Sequence, residues 1–247
     1  MPITKPIKRN VRQFTDGHFT EGGRAGYIEH SDFSQDPEHY IRAFLIIQKD
    51  LLTLFDFIEP ADKNLPTYSF RIHELLIRVC VEIEANFVAI LSENGYMKAG
   101  NWTMDDYKKI DATHRLSSYQ VKFPVWNGQR EIRSPFANWI TPNALSWYKA
   151  YNETKHDRHN KFSYATFENL TDAICGLVAV LSSQFYTHDF SPSDTLLSLG
   201  GHNDGMESAI GNYFRVQFPT DWQQNEKYEF NWQQLETQSN PIDTITY

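Results

Sequence analysis

Residues 143–186, NALSWYKAYNETKHDRHNKFSYATFENLTDAICGLVAVLSSQFY, decide the fold. Their second half, residues 163–186, is the most apolar part of the chain, and its apolar side chains recur at spacings of three and four. This spacing predicts a core helix. A second helical pattern precedes it, and the two are joined by the polar segment 155–161, KHDRHNK, called the hinge segment below. The seam of the core helix is Tyr164, Phe167, Leu170, Ile174, Leu177, Leu181 and Phe185.

Two more long helices are predicted upstream. Asp36 and Pro37 are typical of a helix start. Apolar residues then recur at spacings of three and four until Pro60 ends the pattern. A further amphipathic helix is predicted over residues 69–93, and Gly95 provides its stop.

The pattern changes in the middle of the chain. A short helix is predicted over residues 103–115, with two aspartates in its first turn. Residues 119–126 then alternate between apolar and polar, which predicts a β-strand. Asn127-Gly128 favours a two-residue type I′ turn, and residues 129–133 are predicted to form the second, antiparallel strand. This indicates a β-hairpin between helices. Further short strands are predicted at residues 18–20, 27–29, 213–218 and 227–232.

These patterns together predict a mainly α protein with a single domain, residues 1–247. Its core, about residues 36–187, is expected to be an antiparallel bundle of four main helices with the β-hairpin inserted. Residues 1–35 contain four glycines and residues 188–247 are mostly polar. Both segments are therefore predicted to be irregular, peripheral extensions.

Charge and cysteine content limit the class of protein. The net charge is −8, so no global positive field attracts nucleic acid, and such a contact needs a local basic patch. Cys80 and Cys175 fall in apolar helices without a framework spacing, which indicates free thiols in a reducing compartment. No secretory signal is recognisable and no apolar run approaches about 18 residues, so we expect a cytoplasmic protein outside the membrane.

The helix before the hinge segment presents a polar face. At about 100° per residue, Lys149, Asn152 and His156 share one side, opposite Trp147. This set fits acid–base chemistry on a phosphodiester. His156 would act as general acid or base, Lys149 would stabilise the charge of the phosphorane, and Asn152 would position the substrate. The same residues equally fit an ordinary solvated helix face.

Other chemical motifs are weak. His156 and His159 have an H-x-x-H spacing, but nine histidines make that spacing expected by chance. We therefore predict no metal site and no cofactor. No phosphate loop, nucleophile elbow or dinucleotide fingerprint occurs. Lys122, Arg130 and Arg133 form the one basic cluster outside the hinge segment.

The run YNETKHDR at residues 151–158, followed by a long apolar helix, resembles the HEPN-like superfamily of α-helical bundle domains. The helix that contains residues 71–91 fits the same pattern, so the resemblance covers about residues 36–187 without the hairpin. Many members are metal-independent ribonucleases in toxin–antitoxin, phage-defence or RNA-processing systems. Others are non-catalytic RNA-binding or interaction domains.

The resemblance implies an active site at the interface of a homodimer. The site would contain His156, Asn152 and Lys149, with Arg158 and Lys155 contacting the RNA phosphate. The ribonuclease motif of the superfamily places an Arg before the His, with four to six residues between them. In this chain that position is taken by Lys149, Ala150 or Tyr151. Lys149 keeps the positive charge but lacks the planar fork with which Arg grips phosphate.

Glu84 and His73 lie on the apolar arc of the helix over residues 69–93. A carboxylate at such a position needs a polar partner, because its desolvation is costly. We expect Glu84 to form an ion pair with the hinge segment and so to lock two helices together. The candidate cations are Lys155, His156 and Arg158.

Three functions remain open on the sequence alone. The first is a HEPN-like domain that binds or cleaves RNA, in a toxin or phage-defence system, with an antitoxin or another protein as partner. The second is a non-catalytic helical module for dimerisation or protein interaction. The third is a nucleotide-binding domain in which the cations of the hinge segment hold a triphosphate.

Overall fold

Helices dominate the structure. The computed structural model describes residues 1–141, 144–190 and 205–247. In these residues the helices are α1 (Pro37–Phe55), α2 (Phe70–Glu93), α3 (Met104–Lys108), α4 (Asp111–His114), α5 (Ser146–His156), α6 (Arg158–Lys161), α7 (Phe167–Phe185) and α8 (Trp232–Leu235). The strands are β1 (Gln120–Lys122), β2 (Ile132–Arg133), β3 (Glu207–Ser208) and β4 (Arg215–Gln217). The predicted mainly α class is confirmed.

The most apolar helix, α7, lies at the centre of the core, and nearly all of its residues are buried. It packs against α2 and α5, and α2 also packs against α1 and α5. Gly176 of α7 faces the ring of Trp147 on α5, where an added Cβ would lie 3.4 Å from the indole. The small residue therefore lets the indole, which is 1% exposed, come close to α7.

Local signals place α2 where the sequence predicts it. The hydroxyl of Ser69 accepts a hydrogen bond from the backbone N–H of Ile72 and caps the first turn. Just beyond the C-terminus, Gly95 adopts a φ of +82°, which favours glycine. A start and a stop encoded within the segment are enough to fix this helix.

α1 begins at Pro37, as predicted, but differs from the prediction in its cap and at its C-terminal end. Asp36 precedes it with a φ of +47° and makes no capping bond from its side chain. The helix ends at Phe55, before Pro60, because the next N–H groups bond three residues back: Asp56 to Thr53 at 3.2 Å and Phe57 to Leu54 at 3.0 Å. This tightened turn ends the α-helical pattern.

The helix predicted over residues 103–115 is divided into α3 and α4. The carboxylate of Asp106 accepts from the backbone N–H of Thr103 at 2.8 Å and from its hydroxyl at 2.7 Å, which fixes the start of α3. Between the two helices Lys109 and Ile110 bond three residues back rather than four. The axis therefore breaks there.

The predicted hairpin exists, but its turn is wrong. β1 and β2 pair antiparallel with Val121 opposite Arg133, so residues 123–131 form the connection. Asn127 lacks the positive φ that a type I′ turn requires.

Asp62, which lies between α1 and α2, organises the hairpin loop. Its carboxylate accepts from the indole N–H of Trp126 at 2.7 Å and from the backbone N–H groups of Gln129 at 2.7 Å and Arg130 at 3.2 Å. These hydrogen bonds lower the pKa of Asp62, and the bond from Trp126 has the largest effect. A partner more than sixty positions away overrides the local turn preference of Asn127-Gly128.

The hairpin belongs to a larger antiparallel sheet with the order β2-β1-β4-β3. β4 lies within the strand predicted at residues 213–218 and pairs with β1, Val216 opposite Val121. The strand predicted at residues 227–232 is wrong, because only Tyr228 forms isolated bridges there. The strands predicted at residues 18–20 and 27–29 are also wrong: a 3₁₀ helix over Glu21–Glu29 covers the second of them.

The segment before α1 is tied to the core by a buried arginine. Arg9 is fully buried, with Nε 2.6 Å from Glu93 Oε1 and Nη1 2.9 Å from Gln184 Oε1. Its Nη2 donates to the backbone oxygen of Gln35 at 2.7 Å. One side chain thus joins the N-terminal segment to the end of α2, the end of α7 and the start of α1.

A buried histidine lies beneath the same segment. His114 is 1% exposed, and its Nε2 lies 2.8 Å from the backbone oxygen of Arg9. Its Nδ1 lies 2.8 Å from the hydroxyl of Thr113. Burial lowers the pKa of His114 to about 3. The imidazole is therefore neutral near pH 7.

Both cysteines are free and buried. Cys80 lies in α2 and Cys175 in α7, and burial raises the pKa of each thiol. Such thiols are poor nucleophiles, so packing is their role. No helix within residues 1–141, 144–190 and 205–247 is long and apolar enough to cross a membrane.

Candidate functional site

α5 separates a packing face from a polar face, as its spacing predicts. The buried face carries Trp147, whose indole N–H donates to the backbone oxygen of Pro135 at 3.0 Å. On the other side Lys149 and His156 are exposed, and Asn152 is half-buried between them. The amine and the imidazole are therefore open to a ligand from solvent.

The expected ion pair of Glu84 does not form. Its carboxylate instead accepts from two tyrosine hydroxyls of α5, Tyr148 at 2.7 Å and Tyr151 at 3.2 Å. Lys155 donates to the hydroxyl of Tyr151 at 2.9 Å, so the hinge segment reaches Glu84 through a phenol. Hydroxyl donors satisfy the carboxylate without the burial of a second charge.

This cluster lies beside a residue of the polar face. Asn152 is a neighbour of the Tyr148 hydroxyl, which donates to Glu84 at 2.7 Å. Burial, followed by the nearby carboxylate of Glu84, raises the pKa of both Tyr148 and Tyr151. Both hydroxyls remain protonated donors to Glu84 at neutral pH.

His73 joins the start of α2 to the end of α5. Its ring lies near the backbone of Thr154 and 5.7 Å from the ring of Phe162, and its Nε2 is buried without a hydrogen-bond partner among the described residues. Burial is the main cause that lowers the pKa of His73, and the charge of Arg158 acts in the same direction. A neutral, packed imidazole fits the structural role that the sequence assigns to it.

The hinge segment is divided between two helices: Lys155 and His156 end α5, and residues 158–161 form a single helical turn, α6. Asp157 caps it, since its carboxylate accepts from the backbone N–H of Asn160 at 3.3 Å and from the Asn160 amide at 3.0 Å. Arg158 and His159 are exposed on this turn. The segment thus offers cations at the surface next to the polar face of α5.

Aromatic side chains surround these cations, and we call Tyr68, Phe70, Phe162 and Tyr164 the aromatic platform. The rings of Phe70 and Phe162 lie 4.6 Å apart, and those of Tyr68 and Phe162 lie 5.8 Å apart. Phe70 is 68% exposed, Tyr68 51% and Tyr164 42%. The sequence places Tyr164 in the seam of the core helix, which is wrong, because α7 begins at Phe167. The platform itself is absent from the sequence prediction, because it joins two segments about ninety positions apart. The available signal was Phe70, which lies outside the apolar stripe of α2.

The basic cluster of the hairpin is neutralised. Arg133 is buried with its Nη1 2.5 Å from Asp172 Oδ1, and Arg130 lies 2.9 Å from Glu168. Lys122 lies 3.9 Å from a glutamate of the hairpin. These carboxylates leave little free positive charge, so the hinge segment is the better candidate for an anion.

A cleft of about 490 Å³ lies between α1 and α2. Arg78, which lines it, pairs with Asp50 at 2.5 Å, and Arg71 pairs with Glu74 at 3.4 Å. Its cations are thus matched by acids, which disfavours a triphosphate there. The part of the chain that the structure describes holds no group of three metal-ligating side chains.

Known protein families, characterised proteins and solved structures give no significant match to this chain. Its function therefore has to be inferred from its own residues and their geometry. The polar face of α5, the hinge segment and the aromatic platform form one surface. This surface combines an exposed imidazole, exposed cations and exposed aromatic rings, and is therefore the candidate functional site.

Proposed function

We propose that this protein is a HEPN-like domain that binds RNA and cleaves it without a metal ion. The observation that carries the proposal is the joint exposure of Lys149 and His156 on one face of α5, beside Asn152. Arg158 and Lys155 follow on the hinge segment and would contact phosphate. The packing of α2 with α1, α5 and α7 supports a four-helix bundle core, which is the HEPN-like architecture.

The proposed chemistry is an internal transfer at phosphorus. His156 removes the proton of a ribose 2′-hydroxyl, whose oxygen attacks the adjacent phosphorus. Lys149 stabilises the added negative charge, and Asn152 holds a phosphate oxygen by its amide. The bond to the 5′-oxygen breaks, and this oxygen takes a proton from a general acid. In the homodimer proposed for this family, His156 of the second copy supplies that proton.

Replacing His156 by Ala is expected to reduce RNA cleavage at least about a hundredfold, because the general base is lost. The measurement is the rate of cleavage of labelled mixed RNA in the presence of EDTA. His159→Ala is the matched control, since it removes another exposed histidine of the same segment. Equal activity of the two variants contradicts the assignment, and no cleavage by the unaltered protein removes the nuclease proposal.

Replacing Arg158 by Gln is expected to weaken RNA binding and to reduce the slope of log K against log salt by about 0.7. One phosphate contact of a single strand contributes about this much through counterion release. Fluorescence anisotropy over a salt series measures the slope. Arg71→Gln is the control, because Arg71 is exposed but pairs with Glu74. An unchanged slope in Arg158→Gln would show that this guanidinium does not contact phosphate.

The same experiments also test the other two functions, the nucleotide-binding domain and the non-catalytic interaction module. Binding of ATP in place of RNA would favour the nucleotide-binding domain. A folded dimer that binds neither ligand would favour the non-catalytic interaction module. The toxin or phage-defence role, with an antitoxin as partner, follows from the HEPN resemblance and requires the cleavage activity.

A further inference from the structure

We propose that the aromatic platform stacks the unpaired bases of the RNA, next to the polar face of α5. The inference rests on the proposed RNA binding and specifies which chemical form of the nucleic acid is bound. It assigns to Tyr68, Phe70, Phe162 and Tyr164 a role separate from the phosphate contacts of the hinge segment.

The first support is the exposure of the rings. Phe70 begins α2 with 68% of its surface open, although the same helix buries ten other side chains. Clustered exposed aromatic side chains mark binding surfaces more often than isolated ones do. Phe70 contributes little to the core of the fold, so a ligand is the better reason for a phenyl ring at this position.

The second support is the charge around the rings. The guanidinium of Arg158 lies 6.0 Å from the centre of the Phe70 ring, and the ammonium of Lys161 lies 4.7 Å from that of Tyr164. The hinge segment contributes three cations and one carboxylate, Asp157, which accepts hydrogen bonds from Asn160. Glu153 of α5 also acts on Lys161, so the cations here outnumber the carboxylates by one, three to two. On a chain of net charge −8, this small positive excess complements a polyanion.

The third support is that the backbone holds the platform in place. The N–H of Phe167 donates to the backbone oxygen of Thr67 at 2.7 Å, and Tyr68 forms a bridge with Thr166. The start of α7 is thereby tied to the residues before α2. Rings that are already positioned lose little freedom on binding, which favours stacking.

Alternating rings and cations are the arrangement that single-stranded nucleic acid requires. Each base presents a face for stacking on a ring, and the neighbouring cations follow the phosphates. In a duplex both faces of each base are covered by neighbouring pairs, so the platform would have no surface to contact. The geometry therefore selects unpaired RNA over double-stranded RNA.

The test compares two oligomers of equal length and equal phosphate charge, an oligouridylate and an abasic phosphodiester. We expect the unaltered protein to bind the oligouridylate more tightly. Phe70→Ala should weaken oligouridylate binding about tenfold, as expected for one stacked base, and leave abasic binding unchanged. Phe70→Tyr should retain the affinity, because it keeps the ring. Phe57→Ala should also retain it, since Phe57, at 82% exposure, is even more open to solvent than Phe70 but lies outside the platform.

Each outcome decides between the claims. The stacking site is overturned if the unaltered protein binds both oligomers with equal affinity. It is also overturned if Phe70→Ala and Phe57→Ala lose the same affinity for the oligouridylate. Either result leaves the proposed RNA binding intact. Binding of neither oligomer removes the proposed function itself. A duplex of the same phosphate content that binds as tightly as the single strand also overturns the inference.

Discussion

Replacing Arg9 by Met is expected to lower the free energy of unfolding by about 3–5 kcal/mol. The guanidinium is fully buried, and the change leaves the carboxylate of Glu93, only 17% exposed, without its cation. It also leaves the amide oxygen of Gln184 and the backbone oxygen of Gln35 without their donors. Urea unfolding followed by circular dichroism measures the effect.

Two variants isolate the cause of that loss. Arg24→Met breaks the exposed pair of Arg24 with Asp16 and should cost at most about 1 kcal/mol. Arg9→Met combined with Glu93→Gln should be less destabilised than the sum of the two single changes, because no unpaired charge is buried. Additive effects would show that the ion pair itself is not the source of the stability.

Acidification from pH 7.5 to pH 5 is expected to remove about 2 kcal/mol of stability through His114 alone. Burial lowers the pKa of His114 in the folded state to about 3, whereas the unfolded chain has the ordinary value of about 6.5. The neutral ring therefore stabilises the fold fully above pH 6.5. This contribution falls by about 1.4 kcal/mol per pH unit as the pH drops towards 3, because only the unfolded chain takes up the proton.

His114→Gln tests this expectation, since glutamine keeps a hydrogen-bonding amide but does not titrate. The variant should be less stable at pH 7.5 and should show a smaller loss between pH 7.5 and 5. His159→Gln, at an exposed position, should retain the full pH dependence of the unaltered protein. His73, whose pKa burial also lowers, adds a contribution of the same sign in every variant that retains it. An identical slope in His114→Gln and the unaltered protein would refute the assignment to His114.

Features encoded in short stretches of sequence were predictable. The Ser69 cap and the Gly95 stop define α2 within one segment, and the helical period places Lys149 and His156 on one open face of α5. Such signals work because helical hydrogen bonds and side-chain directions repeat locally.

Features that depend on distant partners were not predictable. The loop at Asn127-Gly128 follows the carboxylate of Asp62 rather than its own turn preference. Arg9 would be expected on the surface, yet partners from three separate segments make its burial favourable. Glu84 was expected to find a cation, but two tyrosine hydroxyls of α5 provide its donors. In each case the deciding contact is invisible in a single stretch of sequence.

The pairing of residues 3–8 with residues 227–243 has a consequence for biosynthesis. Lys5 Nζ donates to the backbone oxygen of Asn240, 235 positions later, and Ile3 and Lys8 donate to the backbone at Lys227 and Asp243. At about 5–20 residues per second, the ribosome needs about 10–50 s to supply these partners. Residues 3–8 are thus made long before these partners and cannot complete their docking until residues 227–243 have followed. Until then the newly made helices expose apolar surface, and a chaperone that binds the nascent chain would protect it during this interval.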